Sequence, residues 1–298
     1  MCAYRVKENI MKLEGKNIMV TGAAGFVGSH LSDGLAVLPV NKLVVLDNMY
    51  LGKKENLSKT RKQCKNLVEY LDPKYSTSNY NVMGEIFAKE NIDVVFDLAT
   101  IPLLASLEKP KWCFEEITAM AVNLAELCRK KAFKTLIHCS TSEVYGTALY
   151  VPMDEHHPWD SRTSYAAAKG AADLCVRSYV ITHGIHALIV RPFNTYGPRQ
   201  NDDTYAGVIP IFSNHILEGE QSTVFGDGEQ TRDFTFVTDT AEGFIKLAES
   251  DYKPGEVINL AAGFEISINN LGKLIYGIQG EEFNPIYAPE RLGDVKRH

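Results

Sequence analysis

A tyrosine and a lysine four residues apart, Tyr165 and Lys169 in SYAAAKGAADL, are the first pair in this chain equipped to move a proton. The stretch has strong helix propensity, and i, i+4 spacing puts both side chains on one helical face. An ammonium beside a phenol favours the tyrosinate, so Tyr165 is a candidate base toward a substrate hydroxyl near neutral pH. Two unrelated polar residues on an exposed helix would give the same pattern.

A second group stands in STSEVYG, residues 140–146, directly after an apolar run. Thr141 can hydrogen-bond the hydroxyl that Tyr165 would deprotonate. Ser142 and Glu143 come next, and Glu143 is placed to reach a neighbouring carbon. A polar loop cap is the plainer explanation of the same residues.

The third group is TGAAGFVGSH, with Gly22, Gly25 and Gly28 in G-x-x-G-x-x-G spacing. Such glycines permit a tight turn and close approach of backbone to a pyrophosphate, and the helix after them offers unpaired N–H groups and a positive dipole end. A glycine-rich turn alone is weak evidence of a ligand. Asp47-Asn48 ends the next apolar run, with Asp47 19 residues beyond Gly28. A carboxylate there accepts hydrogen bonds from an adenosine ribose and repels a 2′-phosphate, which favours NAD over NADP. Asp72, after the third run, is a weaker candidate for the adenine side, since acidic residues at strand ends often only form turns.

These groups must be held by an ordered series of elements. NIMVTG, KLVVLDN, LVEYL, DVVFDLA, TLIHCS and HALIVR read as buried strands. Helical spacing occupies Phe26 to Leu38, Val82 to Glu90, Lys111 to Lys131 and Ser164 to Thr182. The alternation predicts an α/β protein, a Rossmann-type doubly wound parallel sheet. After Arg191 the rhythm changes, and Gly and Pro become frequent in shorter segments. We expect an N-terminal extension over 1–15 and a dinucleotide-binding domain over 16–191, completed by 238–262. A smaller C-terminal substrate-binding lobe would comprise 192–237 and 263–298.

Composition narrows the partners. A formal charge of -6 offers no basic surface for nucleic acid. No apolar run is long enough for a membrane span, and the first residues lack the apolar core of a signal peptide. The six cysteines form no CxxC pair or Cys/His cluster, so no metal site is expected and reduced thiols in a cytoplasmic protein are the simplest reading.

Taken in order, TGxxGxxG, the Asp after the second strand, STSEVYG, YxxxK, RPFNTYGPRQ and GDGEQTRDFTFV resemble the NAD-dependent epimerase/dehydratase family of extended short-chain dehydrogenases. The likeness runs from Lys16 to His298. It implies a sugar-nucleotide substrate, oxidation of the sugar at C4, and a homodimer joined through the helices Lys111–Lys131 and Ser164–Thr182. Thr141, Tyr165 and Lys169 would form the catalytic trio, with Lys169 also holding the nicotinamide ribose. Phe26, Val27, Leu98, Ala99 and Phe193 would complete the cofactor surface. Asn194, Val208, Phe225, Arg232 and Arg291 would line the nucleotide-diphosphate pocket, where paired arginines suit phosphate oxygens.

Three reactions share that oxidation: 4,6-dehydration, 4-epimerisation and decarboxylation. Thr141-Ser142-Glu143 points to chemistry at C5, and TRDFTFVTDTAEGF and NLAAGFEISI also look like 4,6-dehydratases, so dehydration leads. APERLGDVKRH instead resembles the closing motif of 4-epimerases. Two departures fall near the nicotinamide: Asp97-Leu98-Ala99-Thr100 replaces the usual His-Leu-Ala-Ala, and Ile117 stands where relatives carry Asn. A catalytically silent NAD sensor is the non-enzymatic alternative, although it would not need Thr141, Tyr165 and Lys169 together.

Overall fold

The computed structural model describes residues 11–203, 205–291 and 293–298. Seven parallel strands form its centre: β1 (Asn17–Thr21), β2 (Lys42–Asp47), β3 (Leu67–Leu71), β4 (Val94–Asp97), β5 (Thr135–Cys139), β6 (His186–Pro192) and, far later in the chain, β10 (Val257–Leu260). Their order is β10-β6-β5-β4-β1-β2-β3. The order reverses between β1 and β4, and an open α/β sheet forms its ligand crevice beyond the carboxyl ends of the strands at that point.

Strand periodicity divides the core into two layers. Ile18 and Val20 of β1, Leu43 and Val45 of β2, and Leu188 and Val190 of β6 share one apolar cluster with helices α1 (Phe26–Ala36) and α8 (Val237–Ala248). Their alternate neighbours Met19, Val44, Leu46, Ala187 and Ile189 belong to the opposite cluster. There they meet α3 (Tyr80–Glu90), α5 (Pro110–Arg129) and α6 (Ser164–His183). With both faces covered, the strands tolerate apolar residues at every position, which is why they read as continuous runs.

The short helices α2 (Ser58–Gln63) and α4 (Leu103–Glu108) were not expected, being too brief to display a period. The expected extension over 1–15 is fixed at its end: Leu13 is fully buried and its N–H donates to Glu249 Oε1 at 2.9 Å. The first ten residues, Cys2 among them, lie outside the described residues. Helix α6 ends at Gly184, whose φ of 66° supplies the left-handed cap.

Beyond β6 the chain builds a smaller lobe. β7 (Asn194–Tyr196), β9 (Thr231–Phe236) and β11 (Glu265–Ser267) form one sheet, and β8 (Thr223–Phe225) pairs with β12 (Ile286–Ala288). Helices α7 (Val208–Glu218) and α9 (Ile268–Gln279) close a separate core around Phe212, Val224, Leu271 and Tyr276. No described helix is long and apolar enough to cross a membrane.

A row of buried polar groups crosses the sheet beneath the crevice. Asp97 accepts from Thr21 Oγ1 at 2.9 Å and lies 2.8 Å from His138 Nδ1. The far ring nitrogen of His138 lies 3.8 Å from Asp173, which pairs with Arg191 at 2.7 Å. Arg191 then donates to the Tyr145 hydroxyl at 2.7 Å, and Tyr145 donates to Asn259 on β10 at 2.8 Å. The Arg191 guanidinium also sits between the rings of Tyr145 and Trp159. Removing one member leaves the other charge stranded in a dry interior. Arg191→Met should therefore destabilise by about 3–5 kcal/mol, read as a lower denaturant midpoint at unchanged slope. Adding Asp173→Leu should recover part of that loss; a double mutant as unstable as the summed singles would show the pair uncoupled.

Candidate active site

The crevice begins at the β1–α1 turn. Gly22 has φ 64°, and a Cβ on it would lie 2.8 Å from the carbonyl oxygen of Leu98. A Cβ on Gly28 would lie 2.1 Å from the carbonyl oxygen of Gly22, so helix α1 packs against the turn with no room for a side chain. Gly25 caps α1 without a side-chain hydrogen bond, and no acidic residue stands in the first turn. Gly25, Phe26 and Val27 thus face the crevice with a bare, positive helix end. This cradle fits a pyrophosphate.

Asp47 and Asn48, at the end of β2, line the same wall. Asp47 accepts backbone N–H groups of Ala24 at 2.9 Å and Met49 at 2.8 Å. Burial pushes its carboxyl above the usual aspartate range, and these N–H donors pull back. A Cβ on Gly52 would come within 2.6 Å of the carboxylate, which explains a glycine there. Asp72 stands elsewhere. It is exposed, accepts from Lys74 N–H in a tight turn at 3.1 Å, and is absent from the crevice wall, where Tyr75, Ser76 and Thr77 stand instead.

The floor is made by Leu98 and Ala99, whose N–H groups both donate to Thr21 Oγ1 at 3.1 Å. Asp97 is therefore a structural substitute at its position. Its carboxylate takes the Thr21 proton and leaves that oxygen free to accept. Ile117 packs with Ile101, Cys113, Met120 and Ala168 in an apolar cluster against which Tyr165 rests.

Thr141 caps the single 3-10 turn Ser142–Tyr145, accepting from Glu143 N–H at 3.2 Å. Tyr165 lies in the first turn of α6, whose N-cap Thr163 accepts from Ala166 N–H at 3.1 Å. Lys169, one turn on, is buried, and its Nζ donates to the Cys139 carbonyl at 2.8 Å. Burial drives the Tyr165 phenol well above its ordinary pKa, and only the Thr141 hydrogen bond among its main influences lowers it.

Past Tyr165 the crevice continues into the smaller lobe. Thr141, Tyr165 and Phe193 belong to both halves; Ser142, Glu143, Asn194, Val208, Phe225, Arg232 and Arg291 line the second. Asn194 donates to the Asp233 carbonyl at 3.2 Å. Arg291 lies 3.9 Å above the Phe225 ring, whereas Arg232 is paired with Asp294 at 2.6 Å. Sequence reasoning missed Arg199 and Gln200, which also line the crevice, and His298, which lies behind Glu143. No cluster suited to a metal occurs among the described residues.

The closed setting of Asp47 generates a test. NAD(H) should bind at least about tenfold more tightly than NADP(H) in calorimetry, because a 2′-phosphate would bring like charges together in a partly dry site. Equal affinities would remove Asp47 from the ribose site.

Comparison with known proteins agrees with this geometry. Residues 18–261 match the model of the NAD dependent epimerase/dehydratase family. The chain is 34% identical to a UDP-glucose 4-epimerase of Mycolicibacterium smegmatis over 94% of its length and 88% of that protein. It is 31% identical to a dTDP-D-glucose 4,6-dehydratase of Dictyostelium discoideum over 88% of its length and 62% of that protein. The crystal structure of a UDP-N-acetylglucosamine 4-epimerase from Methanobrevibacter ruminantium M1, in complex with UDP-N-acetylmuramic acid, superposes with a TM-score of 0.86 at 34% identity, covering 95% of this chain and 88% of that one. A glycine cradle, a carboxylate at the end of the second strand and a Tyr–Lys helix on one parallel sheet, together with a family match across most of the chain, make this protein a member of the NAD-dependent epimerase/dehydratase family.

Proposed function

We propose that the protein is a nucleoside-diphosphate-sugar 4,6-dehydratase, with residues 16–191 and 238–262 holding NAD and the remaining lobe holding the sugar nucleotide. The observation that carries this reading is Glu143. It supplies a carboxylate to the crevice wall two residues from Thr141 and in the same half as Tyr165.

Bound NAD would accept hydride from C4 and, once water has left, return it to C6, so that with a proton returned to C5 the net change is the loss of one water. Thr141 Oγ1 orients the C4 hydroxyl and Tyr165, as the tyrosinate, receives its proton, the positive charges of Lys169 and of bound NAD favouring that form against the burial that raises the phenol. A C4 ketone makes the C5 proton acidic. The Glu143 carboxylate removes it, the electron pair forms the C5–C6 double bond, and the C6 hydroxyl leaves as water with the proton returned from Glu143. Ser142 is buried, and a neutral hydroxyl is a poor acid, so Glu143 serves in both directions. Arg291 and Arg232 face the diphosphate, Arg232 exchanging Asp294 for phosphate oxygens.

A 4-epimerase is the second reading, favoured by the 4-epimerases to which the chain is similar. Product mass separates the two: loss of one water from a sugar nucleotide supports dehydration, and an unchanged mass with altered stereochemistry supports epimerisation.

The assembly proposed with this function is a homodimer. Phe114 and Val122 on α5, and Leu174 and Ile181 on α6, are exposed apolar residues on the two adjoining helices. Sedimentation should give a dimer at micromolar concentration, and Leu174→Asp with Ile181→Asp should give monomers.

The decisive substitutions act at different steps. Glu143→Gln should still form NADH and a 4-keto sugar but lose C5 exchange with deuterated water by about 10²–10⁴-fold. Tyr165→Phe should stop the reaction before NADH appears, because the hydroxyl proton has no acceptor. Wild-type turnover by Glu143→Gln would reduce Glu143 to a loop residue and leave the epimerase.

A further inference from the structure

Behind Glu143 lies the imidazole of His298. Its side chain is fully buried, and its Nδ1 is 3.6 Å from Glu143 Oε1. The ring stacks on Phe193 with centroids 5.4 Å apart and planes at 29°. Backbone pairing holds the residue to β9: His298 N–H donates to the Thr231 carbonyl at 3.1 Å, and Asp233 N–H donates to the His298 carbonyl at 2.8 Å. Packing and pairing together leave the ring little freedom to turn elsewhere.

Neither ring nitrogen completes a well-formed hydrogen bond, although the Ser142 backbone is near enough to favour a protonated ring. A buried polar group left so costs on the order of 1–3 kcal/mol, and one persisting beside a reaction site calls for a role. The charged groups facing the ring are Glu143 from the 3-10 turn and Arg232 and Asp233 from β9. Two of these are already engaged. Arg232 holds Asp294, and Asp233 accepts three backbone N–H groups, from Ala262, Gly263 and Phe264. Glu143 is the partner that remains.

We propose that His298 is a positioning residue for Glu143: its Nδ1–H donates to Glu143 Oε1 and so presents the other carboxylate oxygen to the sugar. The inference rests on the reading of Glu143 as the group that works at C5. Burial lowers the His298 pKa, and the Glu143 carboxylate raises it in part, so the ring is neutral above the usual histidine range. A neutral donor favours the carboxylate without quenching it as a full positive charge would. As pH falls the ring takes a second proton, and a full positive charge then faces the Glu143 carboxylate. The acid limb of C5 exchange therefore belongs to the pair.

Two variants test this, with UDP-glucose, UDP-N-acetylglucosamine and dTDP-glucose as probes. His298→Phe should lose C5 deuterium exchange by about 10²-fold while forming NADH within about twofold of the wild-type rate at unchanged KM. Its acid limb should also move. His298→Gln keeps an N–H donor and should recover most of the exchange. Parallel loss of NADH formation and C5 exchange, or exchange unaffected in His298→Phe, overturns the role of His298 and leaves Glu143 in place. A wild-type protein that oxidises C4 without exchanging C5 removes the Glu143 reading and this inference together. In the free protein, the ring ¹⁵N titration of His298 should shift downward in Glu143→Gln. An unchanged titration overturns the pairing whatever the substrate.

Discussion

Everything in the crevice hangs on one hydroxyl, Thr21 Oγ1, at the point where the strand order reverses. It donates to Asp97 and accepts from the N–H groups of Leu98 and Ala99, binding the end of β1 to the end of β4. Leu98 also fills the space that a side chain on Gly22 would claim. The glycine turn, the bare end of α1 and the crevice floor are thus parts of a single contact. Without that tie, β1 and β4 would still pair, but the two loops leaving them would have no common reference. Asp97 is what makes the arrangement possible, since a buried threonine hydroxyl needs an acceptor before it can serve two donors.

The carboxylate that serves Thr21 must itself be compensated, and this explains the polar row beneath the sheet. Asp97 needs His138, whose other nitrogen faces Asp173, and Asp173 needs Arg191. Arg191 in turn orients the Tyr145 hydroxyl, which reaches Asn259 on the strand that returns from the smaller lobe. Tyr145 closes the same 3-10 turn that carries Glu143. The crevice floor and the 3-10 turn are therefore joined by charge compensation through the interior. Such a row is costly to assemble and costlier to leave half made.

Sequence revealed the parts of this design that depend on local rules. The glycine spacing, the alternating apolar runs and the Tyr–Lys pair each arise from backbone geometry within a few residues. They led directly to the parallel sheet and to most of the crevice wall. Helix α4 escaped because six residues show no period, and Asp72, offered for the adenine side, stands in a turn outside the crevice wall, since a carboxylate at a strand end suits either purpose. Asp173 and His298 had no local signature at all. Their meaning comes from partners far along the chain, Arg191 and Glu143, brought close only by the fold. Long-range packing also acts on Tyr165, whose phenol burial raises, and on Lys169, whose ammonium donates to the Cys139 carbonyl.

Overall likeness also does not separate the reactions within this family. An epimerase and a dehydratase match the chain at 34% and 31% identity, a difference too small to assign chemistry. The shared part is the parallel sheet with the turns at its carboxyl edge that form the NAD-side crevice. The fate of the C4 ketone depends on whether a base stands near C5 and in what protonation state. That question turns on two or three side chains of one short segment and on the groups packed behind them. In this chain the segment offers Thr141, a buried Ser142 and Glu143, and a buried imidazole backs the carboxylate. A residue kept only to cap a loop would gain nothing from a ring buried against it at the cost of that ring's own hydrogen bonds. The pairing we propose would point that carboxylate in one direction, as removal of a proton from C5 would require.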